Sequence, residues 1–365
     1  MNRISIRGQS PHYNYEILIG RGLLDRAGEL LSRFEHRKIF VVTNPVVLGF
    51  HGDTLIQGLK FAGFEPEIIS IPDGESYKTM ETLSGVISRM VELGGSRRSM
   101  VATFGGGVTG DLGGFAAACF MRGIDYVHLP TTLLAQVDAS VGGKVGVDLP
   151  QGKNLSGAFY HPRMVISDVT VLSTLPDVEF SNGMAEVIKT AVLDGSQLLE
   201  LLESTTDPVN ISPCSLERII CLAVSYKARV VEKDPGESGE RILLNLGHTI
   251  GHAIEAATGY TGISHGRGVA LGMVAACRLS EILGILEDES LPARLDEMLA
   301  RFGLPRQMKL PCHKEILRIM DKDKKKFNGK NRFILPIAPG RMKITCQVKE
   351  QHLMEVLKYI SPQEE

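Results

Sequence analysis

The sequence has no excess of basic residues and no closely paired cysteines. Its 365 residues include 40 lysines and arginines and 42 acidic residues, which gives a net charge of −2. This balance provides no basic surface to attract nucleic acid or an acidic membrane. The six cysteines are scattered without a Cys-x-x-Cys pair, which argues against a zinc ribbon and against a disulfide framework.

Long hydrophobic segments are also lacking. No uninterrupted apolar run approaches the roughly 20 residues that span a bilayer, and the N-terminus contains no apolar signal segment. We therefore expect a cytoplasmic protein that binds neither nucleic acid nor membrane. Hydrophobic residues at 43% and charged residues at 22% are typical of a globular protein, and 365 residues suffice for two domains.

A glycine-rich stretch at residues 103–115 contains a literal G-x-G-x-x-G, from Gly105 through Gly107 to Gly110. An apolar run precedes it and a helix-like run follows, so the order is strand, glycine turn, helix. Glycines let backbone N–H groups approach a pyrophosphate at the positive end of a helix. The pattern predicts a dinucleotide or phosphate site, although glycine runs also occur where a strand and a helix simply pack closely.

An acidic residue for the ribose is missing after this turn. In an ordinary Rossmann fold such a residue follows the glycine turn by about 20 positions. The next predicted strand here ends in Pro130-Thr131-Thr132, without an acid. We therefore expect another part of the chain to hold the ribose of a nucleotide bound at this loop.

The first half of the chain alternates between strand-like and helix-like segments. This rhythm predicts an α/β N-terminal domain with a Rossmann-like, mostly parallel sheet. From about residue 174 the strand signals fade, and apolar residues at helical spacing predict an all-α C-terminal domain. Pro176 suits the first turn of a helix, so we place the domains at residues 1–175 and 176–365. The predicted strands are residues 16–19, 38–43, 66–71, 100–104, 126–129 and 164–167.

Four residues of the second half are candidates for a metal site. His248 and His252 are four positions apart, and a helix would place them on one face. Together with Glu186 and His265 they offer the two histidines and one carboxylate that are common at sites for zinc or another divalent ion. A single histidine is more typical of a hydrogen-bonded core or surface residue, but three histidines within residues 248–265 make a metal site equally plausible. The spacing does not decide which two of them bind metal.

Two glycine-bearing loops carry lysines that suit an anion. They are Gly142-Gly143-Lys144 and Gly152-Lys153-Asn154, where an ammonium group can approach a phosphate without a side-chain wall. The charge run at residues 322–326 is a further candidate, with a solvated loop as its alternative. Other cations that suit either phosphate binding or surface solvation are Arg122, Lys227 and Arg241.

Between about residue 72 and residue 335 the sequence resembles the 3-dehydroquinate synthases, a family of the sugar-phosphate cyclase superfamily. Seven motifs occur in the family's order, and their number makes the resemblance specific although each alone is weak or moderate. They are Asp73-Gly74-Glu75 with Lys78, and residues 105–111, 130–138, 140–144, 152–154, 183–189 and 244–253.

This resemblance implies that the N-terminal domain binds NAD. It also offers a reason for the missing ribose acid, because Asp73, Glu75 and Lys78 would contact the cofactor from the end of an earlier strand. The implied cofactor-binding residues are Asn44, Asp73, Gly74, Glu75, Lys78, Gly106, Gly107, Val108, Gly110, Asp111, Thr131, Thr132, Lys144, Lys153 and Thr174.

For the C-terminal domain the resemblance implies metal and substrate binding. One divalent metal, zinc or cobalt, would be held by Glu186, His248 and His265, with His252 as an active-site residue instead. Phosphate would be bound by Lys144, Asn154, Arg241 and Lys324, and by Arg122 of a neighbouring subunit in a homodimer. The substrate's carboxylate and hydroxyls would be held by Lys189, Lys227 and Asn245, with Asp138 and His252 placed for proton transfer.

The implied activity converts 3-deoxy-D-arabino-heptulosonate 7-phosphate to 3-dehydroquinate and phosphate, with NAD used catalytically. One alternative is another sugar-phosphate cyclase, acting on sedoheptulose 7-phosphate or glucose 6-phosphate. A metal-dependent polyol dehydrogenase is a second, and a non-catalytic NAD- or phosphate-binding regulator is a third.

Three positions depart from the family's usual pattern. Arg267 stands where the family has an acid after the last histidine, His161 replaces a common glutamine, and Pro235 interrupts an acidic turn. We expect a cation at position 267 to remove an acidic partner of a metal ligand and so to weaken metal binding. These departures favour a paralogue with another sugar phosphate, whereas Asn245 and His252 resemble the quinate-forming branch.

Overall fold

The computed structural model describes residues 1–7, 14–205, 207–208, 211–237, 239–260, 262–322 and 331–362, except for the side chain of Lys322. The chain divides into two compact units. The first unit combines Met1–Phe180 with Ser212–Pro235, and the second combines Ser181–Ile211 with Gly236–Glu365. The division into domains after residue 175 stays a prediction.

Strands and helices alternate through the first half of the chain, and helices predominate in the second half. The strands are β1 (Asn2–Ile6), β2 (Tyr15–Gly20), β3 (Lys38–Thr43), β4 (Glu65–Ser70), β5 (Met100–Gly105), β6 (Tyr126–Pro130), β7 (Lys144–Leu149), β8 (Gly152–Phe159), β9 (Met164–Asp168), β10 (Phe333–Ala338) and β11 (Arg341–Thr345). The helices are α1 (Ala27–Leu31), α2 (Pro45–Phe61), α3 (Met80–Glu92), α4 (Gly107–Cys119), α5 (Asp177–Asp194), α6 (Gln197–Ser204), α7 (Pro213–Lys233), α8 (His248–Ala257), α9 (His265–Ile282), α10 (Leu291–Arg301), α11 (His313–Lys322) and α12 (Glu350–Ile360).

Within the described part of the first unit, seven strands form one sheet in the order β1-β2-β9-β6-β5-β3-β4. β1 pairs antiparallel with β2, and every other pairing in this sheet is parallel. The predicted Rossmann-like, mostly parallel sheet is therefore confirmed. All six strands predicted from the sequence belong to it. β1 and the separate hairpin of β7 and β8 were not predicted.

Both faces of the sheet are buried, which is why its central strands read as continuous apolar runs. In β3, Ile39 and Val41 belong to a cluster on one face, together with Leu55 and Leu59 of α2. Phe40 and Val42 belong to the cluster on the opposite face, which includes residues of α3 and α4. Helices therefore cover the sheet on two sides and leave its strand ends open to loops.

The order in which strands are added to the sheet changes side at β3. β4 pairs with one edge of β3 and β5 pairs with the other, so the connections leave this point on opposite sides. Ligands of open parallel sheets bind beyond the carboxyl ends of the strands at such a point. Asn44 follows β3 and Gly106 follows β5, which places the predicted nucleotide loop at this edge.

Glycines let α4 lie close to the sheet. A Cβ atom on Gly110 would lie 2.2 Å from Cε1 of His128 in β6, and one on Gly113 would lie 2.6 Å from Cγ2 of Thr103 in β5. No side chain larger than hydrogen fits at these distances. The last glycine of the G-x-G-x-x-G pattern therefore serves helix–sheet packing, a role that such glycines have in Rossmann folds.

The second unit is helical, as predicted for the C-terminal part of the chain. It also contains a feature that was not predicted, a hairpin in which β10 pairs antiparallel with β11. The first four residues of β10 are buried, and Gly340 supplies a left-handed turn residue with φ of 76°. None of the helices that the structure describes is long and apolar enough to cross a membrane.

We expect the stability of the first unit to depend on pH, because the ring of His128 is buried. The ring is 4% exposed, and burial lowers its pKa to about 4. Because the unfolded chain binds a proton there near pH 6.5, the stability present above pH 6.5 is lost as the pH falls towards 4. The loss approaches about 3 kcal/mol across this window.

Urea unfolding of the wild type and of His128→Gln, followed from pH 7.5 to pH 4.5, measures this contribution. The free energy of unfolding should fall less steeply for the glutamine variant below pH 6.5. Above pH 7 the two proteins should show the same pH slope, because the ring is then neutral in both states. Equal slopes below pH 6.5 would contradict the prediction.

Candidate nucleotide and metal sites

Asn44 links the ends of two neighbouring strands. It is the N-cap of α2, where its Oδ1 accepts a hydrogen bond of 2.8 Å from the Val47 N–H. Its Nδ2 donates to Oδ1 of Asp73 over 2.8 Å, in the loop that follows β4. The structure therefore brings together two of the predicted cofactor residues, one from each strand end.

The start of α4 fits an anion. Gly106 is its N-cap, no described side chain caps this helix start, and its first turn carries no acidic residue. The first N–H groups of a helix lack intrahelical partners and carry partial positive charge. Gly106 has an ordinary φ of −75°, so its glycine provides space and not a special backbone shape. A Cβ atom there would lie 3.1 Å from Cγ2 of Thr132.

Lys78 is the centre of a polar network at this edge. The residue is 3% exposed, and its Nζ donates to Oδ2 of Asp111 over 2.6 Å and to Oδ1 of Asn154 over 2.5 Å. Burial lowers the pKa of Lys78, but the charges of Asp111 and Glu75 outweigh that effect and raise this pKa above its usual value. The amine is therefore a cation held by two other predicted residues.

The tip of the β7–β8 hairpin is held against the same segment. Asn154 has a left-handed φ of 54°, and its N–H donates to Oδ1 of Asp148 over 2.7 Å. The Asp148 N–H in turn donates to the carbonyl of Lys78 over 2.7 Å, and Lys153 lies 3.3 Å from Glu75. Asp148 was not predicted, although an aspartate shortly before a turn is typical of a residue that fixes the turn.

The remaining predicted residues of the first nucleotide loops lie at the same sheet edge. The Thr131 N–H donates to the carbonyl of Gly105 over 3.0 Å, which joins the ends of β5 and β6. Thr132 accepts a hydrogen bond of 3.1 Å from the Ala135 N–H. Further along the chain, Thr174 contacts Nε2 of His51 at 2.8 Å, and His51 is a second residue that was not predicted. The other members of the predicted set are Gly74 with φ of 110°, Gly107 and Val108 in the first turn of α4, and the exposed Lys144.

Asp138 and Lys227 form a second polar cluster in the first unit. Asp138 lies in a π-helical turn, Ala135–Ala139, a rare geometry that is frequent at functional sites. Lys227 of α7 is 8% exposed. Its Nζ donates to Oδ1 of Asp138 over 2.5 Å and to the carbonyl of Asp138 over 2.6 Å. Both residues were predicted as catalytic, and the structure places them in direct contact.

In the second unit, Glu186, His248 and His265 offer three ligand atoms within 4.8 Å of one another. Nε2 of each histidine lies 3.6 Å from Oε1 of Glu186. The other nitrogen of each ring has a different acceptor, which is the Leu246 carbonyl for His248 and Glu255 for His265. Both rings therefore present Nε2 to the carboxylate.

These residues fit a divalent cation. Glu186 is 1% exposed, and within the described residues neither of its carboxylate oxygens has a hydrogen-bond partner of good geometry. A buried carboxylate in this state needs positive charge beside it. Lys189, one turn along α5, forms an ion pair with Oε2 of Glu186. Oε1 faces the two histidine nitrogens instead, where a metal held by Glu186, His248 and His265 would bind.

The charge states of the cluster agree with a ligand set. Burial raises the pKa of Glu186, but Lys189 and His265 outweigh it and lower this pKa to about 2. Burial and the charges of Lys189 and the neighbouring rings hold the pKa of His248 well below its usual range. Burial also lowers the pKa of His265, but Glu186 and Glu255 outweigh it and raise it to about 10. Metal binding to this set would therefore displace a proton.

His252 lies beside the rings of two proposed metal ligands, and two further predicted residues precede α8. The ring of His252 is 5.0 Å from that of His248 and 5.9 Å from that of His265, measured between centroids. Asn245 donates to Oε1 of Glu237 over 3.1 Å, and Arg241, in the same short 3-10 turn as Asn245, is 2% exposed. Glu237 has a left-handed φ of 57° and was not predicted.

Arg122 and Lys324 are two further residues that were predicted to bind phosphate. Arg122 is exposed and has a left-handed φ of 70°. It follows the C-terminal end of α4, whose 13 residues put it about 20 Å from the glycine loop. Lys324 lies outside the described residues.

The expectation that Arg267 removes the acidic partner of a metal ligand does not agree with the structure. Arg267 is exposed, and the carboxylate that accepts a hydrogen bond from His265 belongs to Glu255, over 3.0 Å. Of the other departures, His161 is 8% exposed. It packs against the loop of Lys144, since a Cβ atom on Gly143 would lie 2.8 Å from the His161 ring.

Two family models match the sequence. The model described as 3-dehydroquinate synthase N-terminal matches residues 68–182. The model described as 3-dehydroquinate synthase C-terminal matches residues 183–326. A curated relative, the 3-dehydroquinate synthase of Synechococcus sp., is 45% identical over 362 residues, which cover 96% of this chain and 97% of the relative.

Two solved structures are similar along nearly the whole chain. One is 2-deoxy-scyllo-inosose synthase complexed with carbaglucose-6-phosphate, NAD+ and Co2+, with a TM-score of 0.88 and 27% identity over 98% of this chain and 100% of the other. The second is 2-epi-5-epi-valiolone synthase from Streptomyces hygroscopicus subsp. jinggangensis with NAD+ and Zn2+ bound. Its TM-score is 0.88, with 25% identity over 98% of each chain.

Replacement of Glu186 tests the ligand set. Glu186→Ala removes the carboxylate between the two Nε2 atoms, so the purified variant should retain less than a tenth of the wild-type metal content. Elemental analysis after dialysis measures this. Glu179→Ala, an exposed position on the same helix, is the matched control and should keep the wild-type content. Unaltered metal in Glu186→Ala would refute the assignment.

Proposed function

The chain belongs to the 3-dehydroquinate synthase family, and from this membership we propose how its residues carry out the family's reaction. The enzyme is a cyclising phosphorus–oxygen lyase. It converts 3-deoxy-D-arabino-heptulosonate 7-phosphate to 3-dehydroquinate and inorganic phosphate, the second step of the shikimate pathway.

Family membership over the whole chain is the observation that carries this choice of substrate. The relative named 3-dehydroquinate synthase is 45% identical, whereas the two cyclases with other names are 27% and 25% identical. A metal set and a nucleotide edge alone would fit a polyol dehydrogenase equally well. The resemblance of the remaining motifs to the quinate-forming branch therefore outweighs the three departures that favour another sugar phosphate, at Arg267, His161 and Pro235.

The cofactors are NAD and one divalent metal, zinc or cobalt. NAD supplies a reversible hydride acceptor when bound, and the metal supplies a Lewis acid for the substrate's hydroxyls. We propose that the N–H groups at the start of α4 bind the pyrophosphate, because this helix end has no described side-chain cap. Asn44 and Asp73, joined by a hydrogen bond of 2.8 Å, are proposed to hold the ribose, in place of the acidic residue that is missing after the glycine turn.

The β7–β8 hairpin carries the groups proposed for the substrate's phosphate. Lys144 lies at its start and is exposed, and Asn154 is fixed at its tip by Lys78 and Asp148. Fixed donors lose little entropy when they bind an anion, so they stabilise the charge that develops on a departing phosphate. Arg241 and Lys324 complete the proposed set.

Lys227 and Asp138 are proposed to act as a pair. The carboxylate of Asp138 accepts a short hydrogen bond from Lys227, which holds the ammonium group in place for the substrate's carboxylate. Asp138 is 35% exposed at its side chain, which leaves its carboxylate accessible for proton transfer. Lys189, Asn245 and His252 are proposed to hold the hydroxyls and to move protons in the second unit.

We further propose a homodimer that acts in the cytoplasm, with Arg122 contributed to the neighbouring subunit. Met121, Arg122 and Gly123 are three successive residues with positive φ, at 49°, 70° and 115°. Such backbone costs of the order of 1 kcal/mol or more for each non-glycine residue and is retained mainly at functional positions. The turn presents an exposed guanidinium away from the glycine loop of its own chain.

The reaction itself is tested with the purified protein, NAD and zinc or cobalt. With 3-deoxy-D-arabino-heptulosonate 7-phosphate, inorganic phosphate should be released without any net change in the NADH absorbance band. Sedoheptulose 7-phosphate and glucose 6-phosphate serve as controls and should release none. Release only from a substrate that lacks the carboxylate would contradict the proposal, and accumulation of NADH would indicate a dehydrogenase.

Mixing of two inactive variants tests the role of Arg122. Arg122→Ala and Glu186→Ala are each expected to be nearly inactive. After unfolding and refolding together, heterodimers contain one complete site if Arg122 acts across the interface, so about a quarter of the wild-type activity should return. The same treatment of each variant alone is the control. Failure to recover activity in mixtures shown to contain heterodimers would place Arg122 in its own subunit's site.

A further inference from the structure

Glu255 is a buried carboxylate that the proposed function does not use. It lies on α8 and is 3% exposed. Its Oε1 is 3.0 Å from Nδ1 of His265, one of the proposed metal ligands. An ionised carboxylate is an acceptor only, so the hydrogen of this bond belongs to the imidazole nitrogen.

This contact determines which nitrogen of His265 can bind a metal. A neutral imidazole carries one N–H, and a carboxylate beside Nδ1 holds that hydrogen at Nδ1. The lone pair is then on Nε2, which lies 3.6 Å from Oε1 of Glu186. Without Glu255 the ring could rotate or carry its hydrogen on Nε2, and neither arrangement binds a metal beside Glu186.

The packing of α8 against α9 keeps the carboxylate in this position. A Cβ atom on Gly268 would lie 3.2 Å from both Cγ and Oε1 of Glu255, and 3.3 Å from the carbonyl of Gly251. The Glu255 side chain therefore lies directly against the backbone of α9. Glu255 thus packs between the backbone of α9 and the ring of His265, where rotation about its side-chain bonds is restricted.

We propose that Glu255 is the positioning residue of the metal site, which fixes the tautomer and the orientation of His265. This inference rests on the proposed function, because it takes Glu186, His248 and His265 as the ligands. It explains why the exposed Arg267 is compatible with a metal site. The carboxylate that supports the last ligand comes from α8 and not from the position after that ligand.

A second arrangement of the same residues is chemically reasonable and differs in its outcome. His252, Glu255 and His265 also offer ligand atoms within 4.8 Å of one another. In that arrangement Glu255 would itself bind a cation through the Nδ1 side of His265, and each subunit would take up two ions. The short, buried contact between Nδ1 and Oε1 favours a hydrogen bond, since an ion between the two atoms would need them further apart.

Competition between metal-free protein and a zinc chelator distinguishes these cases. Glu255→Ala should bind Zn2+ between 10-fold and 100-fold more weakly than the wild type, the range found for the loss of a carboxylate behind a ligating histidine. Glu255→Gln keeps the shape and one acceptor oxygen, so it should lose less affinity than Glu255→Ala. The absorption spectrum of bound Co2+ should change in Glu255→Ala, because the orientation of one ligand changes.

Glu217→Gln is the matched control. Glu217 is a partly buried glutamate whose side chain accepts a hydrogen bond of 2.7 Å from Asn2 in the first unit. Loss of its charge should leave zinc affinity and the Co2+ spectrum unchanged. Thermal unfolding of the metal-free variants separates a general loss of stability from a loss of metal affinity.

Wild-type zinc affinity in Glu255→Ala, or in Glu255→Leu if the alanine variant does not fold, would overturn the proposal, because neither side chain can accept a hydrogen bond from His265. Two ions per wild-type subunit, falling to one in Glu255→Gln, would overturn it in favour of the second arrangement. Both results concern zinc binding by the protein without substrate. They are therefore distinct from failure of the proposed reaction, which appears as absence of phosphate release by the metal-loaded wild type.

Discussion

Close contact between the backbones of α8 and α9 is the constraint on which the metal set depends. A Cβ atom on Gly272 would lie 1.9 Å from the carbonyl of Gly247, and one on Gly251 would lie 2.7 Å from the carbonyl of Gly268. Any side chain at these positions would push the helices apart. His248 and His265 begin the two helices, so their separation is fixed by this contact. The positive helix ends also favour an anionic Glu186 between the two rings.

Buried lysines give both units a common electrostatic design. Lys78 pairs with Asp111, Lys227 with Asp138 and Lys189 with Glu186, and all three lysines are less than 9% exposed. Of these three pairs, Lys189 and Glu186 are buried on both sides, and loss of one partner there leaves an uncompensated charge that destabilises the fold by about 3–5 kcal/mol. Each pair holds its cation in place before any anionic ligand arrives, which lowers the reorganisation that binding requires.

The sequence predicted those parts that depend on local pattern. Apolar runs identified five buried strands of the sheet, the alternation of strands and helices added the largely exposed β4, and the four-residue spacing identified the helix that carries His248 and His252. The position of α7 within the first unit was not predictable, because it depends on contacts between segments far apart in the chain. The role of Gly110 was ambiguous for a related reason. The pattern G-x-G-x-x-G does not reveal that His128 occupies the space where its side chain would lie.

The position of Glu255 on α8 was predictable from its spacing to two histidines. It lies seven residues after His248 and three after His252, so all three share one face of α8. A buried carboxylate on that face needs a partner. The family's usual pattern has its acid at position 267, two residues after His265, but Arg267 is exposed in this structure. Residues three or four positions apart on a helix lie on the same face, whereas the residue next to a ligand in the sequence can point away from it. The helical spacing from His252 therefore identifies Glu255 as the carboxylate that reaches His265.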